Sequence, residues 1–114
     1  MEEKQTMHLY EGMYVLNATL SEDARKKALE KIFDGIKSRG GDVKKVHEWG
    51  RRKLAYEIMG KKEGYYYIVF FESPPQDMTK MWREYQLNED LLRFITLRAE
   101  EVVEEIKFKS LASA

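Results

Sequence analysis

The sequence predicts an α+β sandwich in the order β-α-β-β-α-β, with one four-stranded antiparallel sheet carrying two helices on one face. Three observations predict it. Residues 8–16, 42–59, 65–72 and 91–98 have the alternation or the β-branched and aromatic density of strands. Residues 24–36 and 78–85 repeat apolar side chains every three or four positions, as amphipathic helices do. Finally, 114 residues with 43% hydrophobic and 35% charged side chains suffice for one domain with one modest core.

In the first strand, His8-Leu9-Tyr10-Glu11-Gly12-Met13-Tyr14-Val15-Leu16, alternation puts Tyr10, Gly12, Tyr14 and Leu16 on one face. Leu9, Glu11, Met13 and Val15 take the other, and Asn17 ends the strand. Ser21 is a helix N-cap followed by Glu22 and Asp23, whose charges suit the positive end of a helix dipole. Ala24, Ala28, Leu29, Ile32, Phe33 and Ile36 form the apolar stripe of that helix, which runs to about Ser38 and stops at Gly40-Gly41. Residues 42–59 form a long strand in which Gly50 marks a bulge or bend. Lys61-Lys62-Glu63-Gly64 reads as the turn before the third strand, and Pro74-Pro75 breaks that strand. Met78, Met81, Trp82 and Tyr85 then make the second helix stripe, and Leu91 to Arg98 the last strand. Residues 1–7 are an N-terminal arm, residues 8–100 the folded domain, and residues 101–114 an acidic tail in which Val102, Val103 and Ile106 suggest a short helix. The resulting pattern is the split βαβ, or ferredoxin-like, sandwich.

Such a sandwich covers only one face of its sheet. Here both faces of the third strand are apolar, Tyr65, Tyr67, Val69 and Phe71 on one side and Tyr66, Ile68 and Phe70 on the other. Ile95 and Leu97 extend one face on the last strand, and Phe94 and Thr96 the other. Apolar patches of that size are seldom left in water. A partner protein, a second copy, stacked bases or the C-terminal tail folding back would cover the open face.

Residues that could carry catalysis are sparse. Cysteine is absent, which removes disulfides and thiolate chemistry and fits a reducing compartment. His8 and His47 lack the spacing of a helical metal pair, and no phosphate-binding glycine loop is present. Glu22-Asp23 and Glu89-Asp90 lie at element ends, where dipole and solvation account for them, and Ser21 has no neighbouring base. No catalytic residue, metal, cofactor or small-molecule substrate is expected, and no apolar run has the length of a membrane span. The polar, acidic N-terminus is unlike a secretory signal, which leaves the cytoplasm as the default location.

Charge is balanced overall, with 20 basic and 20 acidic residues, but it is unevenly placed. Between Val43 and Lys62 seven Lys or Arg face two Glu, whereas Ala99 to Ile106 holds four Glu and no base. Arg51, Arg52 and Lys53 are adjacent; in a strand Arg51 and Lys53 point one way and Arg52 the other, a group suited to phosphates. Arg93 and Arg98 on the last strand extend that surface.

Two family resemblances point to RNA. Lys62-Glu63-Gly64-Tyr65-Tyr66-Tyr67-Ile68-Val69-Phe70 and Met13-Tyr14-Val15-Leu16-Asn17 partly resemble the RNA-recognition-motif signatures, with Glu63 and Tyr66 departing from the pattern. That resemblance places Tyr14, Tyr65 and Tyr67 on the open face. More specific is Trp49-Gly50-Arg51-Arg52-Lys53-Leu54-Ala55-Tyr56-Glu57-Ile58, which resembles the signature of the sixth protein of the bacterial small ribosomal subunit. Tyr10-Glu11, Gly64-Tyr65 and Asn88-Glu89-Asp90-Leu91-Leu92-Arg93 resemble that family at matching places, so the likeness spans residues 8 to about 100. The sequence departs from it at Glu57, where the family often has Pro, and at His8-Leu9, where a basic residue is usual; its N-terminal arm is also longer and its acidic tail shorter.

The second resemblance implies a ferredoxin-like structural protein of the ribosome, cytoplasmic and without catalysis. Its implied partners are the central domain of small-subunit ribosomal RNA and the eighteenth small-subunit protein. It makes Arg51, Arg52 and Arg93 the foremost RNA contacts, with His8 and Tyr10 next. The protein-partner face would be Tyr66, Ile68, Phe70, Ile95 and Leu97, exposed, with Tyr14 and Tyr67 beneath the helices. Two other functions fit the residues: a single-strand RNA binder of the RNA-recognition-motif type, with the sheet faces exchanged, and a dimeric ferredoxin-like ligand sensor or enzyme, which would need a polar pocket on a sheet face.

Overall fold

The computed structural model describes residues 6–103. The elements are β1 (His8–Asn17), α1 (Glu22–Ser38), β2 (Asp42–Ile58), β3 (Lys61–Ser73), α2 (Met78–Leu87) and β4 (Leu91–Arg98), with one 3-10 turn, Pro75–Asp77, leading into α2. The strands form one sheet in the order β2-β3-β1-β4, with every neighbouring pair antiparallel. This is the predicted ferredoxin-like sandwich.

Register divides the side chains between two apolar layers. Tyr14 lies opposite Tyr67 and Phe94, and Tyr10 opposite Phe71 and Arg98. All of these but the exposed Arg98 share the helix-covered layer with Leu16, Val69, Ala28, Leu29, Ile32, Ile36, Met78, Met81 and Tyr85. Inside that layer the Tyr14 and Tyr85 hydroxyls are 3.1 Å apart and their rings meet edge to face at 5.3 Å. Gly12 makes room for this arrangement, because a Cβ there would lie 2.8 Å from the Tyr14 ring. Ser21 caps α1 as predicted, its Oγ accepting from the Ala24 N–H at 3.1 Å. Beyond α1, the Gly41 N–H donates to the Ile36 carbonyl at 3.0 Å.

Three expectations change. The turn between the middle strands is not Lys61–Gly64 but Met59-Gly60, since Ile58 pairs with Lys61. Both turn residues have positive φ, 50° and 76°, the geometry whose twist suits a two-residue hairpin. The charged run that resembles a loop is strand because it extends the hairpin into solvent, where polar side chains suit a strand equally well. Trp82, expected in the buried stripe of α2, lies at its edge, where its indole N–H donates to Thr96 Oγ1 at 3.2 Å. Finally, residues 99–103 are not helical; the remainder of the helix expected through Ile106 lies outside the described residues.

Candidate nucleic-acid interface

The basic segment sits on β2, the edge strand, and two irregularities shape it. At Gly50, with φ +86°, the pairing with β3 shifts between Glu48 and Gly50, so the predicted bulge is present. Regular pairing then resumes: Arg51 opposite Tyr65, Arg52 opposite Gly64, Lys53 opposite Glu63. Arg51 and Lys53 therefore share the helix side of the sheet and Arg52 the open side, as the alternation predicts. The second irregularity is larger. Lys53 pairs with Glu63 and Ile58 with Lys61, so residues 54–57 arch opposite Lys62 alone.

The nearby acids are engaged. Arg51 Nε donates to Glu63 Oε2 at 2.8 Å, a surface pair of the kind that contributes little stability and exchanges readily for a better anion. The Tyr65 hydroxyl donates to Glu48 Oε2 at 2.8 Å. That bond, with burial and the carboxylate's charge, raises the Tyr65 pKa, while the Arg25 guanidinium 3.9 Å above the ring opposes it.

Arg93 joins this group from the other edge of the sheet. It lies on β4 opposite Val15, on the open face. Its NH1 donates to the hydroxyl of Tyr56, on the arch, and its guanidinium carbon lies 5.5 Å from the centre of that ring. Tyr56 was not among the residues singled out for RNA binding. Its signal in the sequence is an aromatic side chain within a basic stretch, in a register that the arch makes unreadable.

His8, Tyr10 and Arg98 form a separate group. Tyr10 stacks on Phe71 at 5.6 Å and pairs across the sheet with Arg98. Its hydroxyl lies 3.5 Å from His8 Nδ1, a long contact, and desolvation raises its pKa against the lowering effect of Arg98. Tyr10 is thus mainly a core residue. It lies six positions along β1 from Leu16, beside the hairpin group, or about 20 Å at strand rise. The seven candidate RNA-binding residues accordingly fall at two ends of one sheet.

The open face is only partly exposed. Ile95 and Leu97 are 37% and 59% accessible, but Tyr66, Ile68 and Phe70 are buried, at 6%, 2% and 1%. The expectation that all five form an exposed face is therefore corrected for those three. Their cover comes from Leu54 and Trp49 on β2 and from Ala99 and Val102 beyond β4, all packed in the same layer with Met13 and Val15. The C-terminal segment crosses the face after β4 and reaches β2, where the Val103 carbonyl accepts from His47 Nε2 at 2.7 Å. Between the arch and the sheet a pocket lined by Tyr56, Arg93, Ile95 and Tyr66 holds only about 60 Å³, whereas drug-sized ligands occupy about 300–1,000 Å³. Among the described residues no group of three His, Asp or Glu side chains could hold a metal, and no helix is long and apolar enough to cross a membrane.

The family profile described as Ribosomal protein S6 matches residues 9–98. The chain belongs to that family. Among its S6 relatives, the small ribosomal subunit protein bS6 of Protochlamydia amoebophila (strain UWE25) is 59% identical over 108 residues, covering 95% of each chain. The bS6 of Chlamydia muridarum (strain MoPn / Nigg) is 56% identical over 108 residues, covering 95% of this chain and 96% of the relative. The crystal structure of 30S ribosomal protein S6 from Thermotoga maritima superposes with a TM-score of 0.77 at 28% identity, covering 82% of this chain and 89% of that one. The matched span contains the whole Trp49–Ile58 signature. The sheet faces agree with the S6 expectation for Tyr14 and Tyr67, which lie under the helices. The RNA-recognition-motif alternative, which puts Tyr14, Tyr65 and Tyr67 on the open face, is overturned by the same packing.

Proposed function

We propose that this S6-family protein binds the central domain of small-subunit ribosomal RNA together with the eighteenth small-subunit protein, by recognising backbone and shape. It is a protein of the small ribosomal subunit and acts in the cytoplasm, within the ribosome. Its role is structural and not catalytic. The observation that carries the RNA contact is the basic row of β2 at the hairpin, with Arg52 on the open side of the sheet, where Arg93 of β4 meets Tyr56, and Arg51 and Lys53 on the helix side. Three cations along one hairpin strand, with Arg93 at the far edge of the sheet, suit phosphate oxygens, and the arginines add bidentate geometry. His8 and Arg98, beside Tyr10, make a second contact at the far end of the sheet. The protein partner takes the exposed Ile95 and Leu97, with Tyr66, Ile68 and Phe70 supporting that face from beneath.

The test is binding of a central-domain RNA fragment across a salt series, with and without the eighteenth protein. Arg51→Ala/Arg52→Ala is expected to weaken binding at every salt concentration and to lower the slope of log K against log salt by about one for each phosphate the variant no longer holds. Leu97→Asp is expected to leave RNA phosphate binding intact and to reduce capture of the protein partner. Unchanged affinity and slope in the double variant would remove the hairpin from the RNA interface.

A further inference from the structure

We propose that Tyr56 is a stacking platform for an unpaired RNA base, oriented by Arg93; this rests on the RNA-binding function above. Tyr56 is 56% accessible, although its neighbour Leu54 in the same arch is buried in the sheet layer. Both lie in the arch, where four residues face only Lys62: Leu54 packs into the sheet layer, while Tyr56 borders the small pocket over the sheet with Tyr66 and Ile95. Tyr56 therefore presents a large aromatic ring at the surface, where a flat apolar ligand can cover it.

The ring is nevertheless held in place. Arg93 donates to its hydroxyl, and the guanidinium lies near the ring, 5.5 Å from its centre. Because Arg93 comes from β4 and Tyr56 from the hairpin, the pair spans the open face and fixes the ring before any ligand arrives. Orienting the ring in advance reduces the entropy lost on binding. The neighbouring cations then determine the ligand class. Arg51, Arg52 and Lys53 lie three to five residues before Tyr56 on the same strand. Of these Arg52 shares the open face with Tyr56 and Arg93, and a stacking ring flanked by phosphate-binding cations is the arrangement by which proteins hold unpaired nucleotides, with the backbone held by charge and the base by the ring. The pocket between the arch and the sheet is too small to enclose a base, which places the base on the outer surface of the ring.

The experiment compares wild type, Tyr56→Ala, Tyr56→Trp and Arg51→Ala/Arg52→Ala, each with the eighteenth small-subunit protein present, on one central-domain RNA fragment across a salt series, with thermal unfolding of each protein alongside. Tyr56→Ala is expected to lose about 5- to 100-fold in affinity, the range of one stacked base, with the salt slope unchanged. Tyr56→Trp, which keeps a stacking ring but loses the hydroxyl that Arg93 holds, is expected to recover most of the affinity lost in Tyr56→Ala, and to show RNA-induced quenching of indole emission beyond that of wild type, which carries Trp49 and Trp82. Tyr56→Ala binding RNA like wild type, while the arginine double variant is weakened, would overturn the stacking role and leave the phosphate contact standing. A loss in Tyr56→Ala that Trp does not restore would also overturn it, as would a loss confined to capture of the protein partner. Failure of the wild-type chain to bind the fragment at all would sink the underlying RNA-binding function and the stacking role with it.

Discussion

The Val103 carbonyl accepts a hydrogen bond from His47 Nε2 at 2.7 Å, joining the segment beyond the last strand to the outermost strand on the opposite side of the sheet. The His47 ring also meets Phe70 edge-on at 5.9 Å. One side chain thus secures the returning chain and covers the most buried aromatic residue of the open face.

Replacing His47 with Ala removes both interactions. The expected loss is about 1 kcal/mol, the size of one hydrogen bond plus part of an aromatic edge contact. Urea denaturation would read it as a lower midpoint with an unchanged m-value. Hydrogen exchange at the amides around Phe70 would rise. An unaltered midpoint would mean that Val102 packing alone holds the segment.

The Tyr14–Tyr85 pair predicts a loss at high pH. Burial, followed by the neighbouring Tyr85, pushes the Tyr14 pKa well above 10, and burial also raises that of Tyr85. A tyrosine whose folded pKa exceeds its unfolded value contributes its full stability below the unfolded pKa. That contribution declines as pH rises above about 10, because only the unfolded chain then releases the proton readily. Stability should therefore fall on alkaline titration, and Tyr14→Phe should flatten the fall. Near neutral pH the same variant should cost about 1–2 kcal/mol by leaving the Tyr85 hydroxyl with only a 4.0 Å contact to Met81 Sδ. Equal alkaline slopes for wild type and variant would disprove the linkage.

Met59 occupies a left-handed conformation, φ 50°, at the hairpin tip and is 72% exposed. Only Gly, Asn and Asp adopt that region cheaply. Met59→Asn should therefore stabilise the protein by about 0.5–1 kcal/mol, visible as a raised thermal midpoint. A lower midpoint would show that the Met side chain makes a contact worth more than the backbone strain.

Gly64 should tolerate nothing larger. A Cβ there would lie 2.3 Å from Val15 Cγ1 and 3.3 Å from Leu54 Cδ2. Gly64→Ala is expected to cost about 1–3 kcal/mol as overpacking. Because Gly64 is the pairing partner of Arg52, RNA affinity should fall with it. Wild-type stability in this variant would mean that β1 and β3 can part at no cost.

The fold was legible because its signals were redundant. Ser21 with Glu22 and Asp23 marked one helix start, Gly40-Gly41 its stop, and the β-branched and aromatic density of residues 65–72 marked a strand. The faces could not be assigned by alternation, since Tyr67 and Tyr66 are equally apolar; the family likeness assigned them, and packing against Ile32, Met81 and Tyr85 confirmed the assignment for Tyr67. The burial of Phe70 was not legible. It depends on Trp49 and Leu54 of β2 and on Val102, some fifty residues further along, which meet only once β2 has arched and the chain has recrossed the sheet. Tyr56 was missed for a related reason: four residues facing one cannot be seen in a strand pattern of period two.

That arch at residues 54–57 has an evolutionary consequence. In a regular ladder, inserting or deleting one residue reverses every side chain beyond it. Here the ladder already contains a segment whose length the partner strand does not dictate. Changes of length between Lys53 and Ile58 can be absorbed within it, leaving Arg51 opposite Tyr65 on one side and the tight turn intact on the other. The hairpin thus contains an expansion joint: a residue gained or lost there leaves the basic row in register.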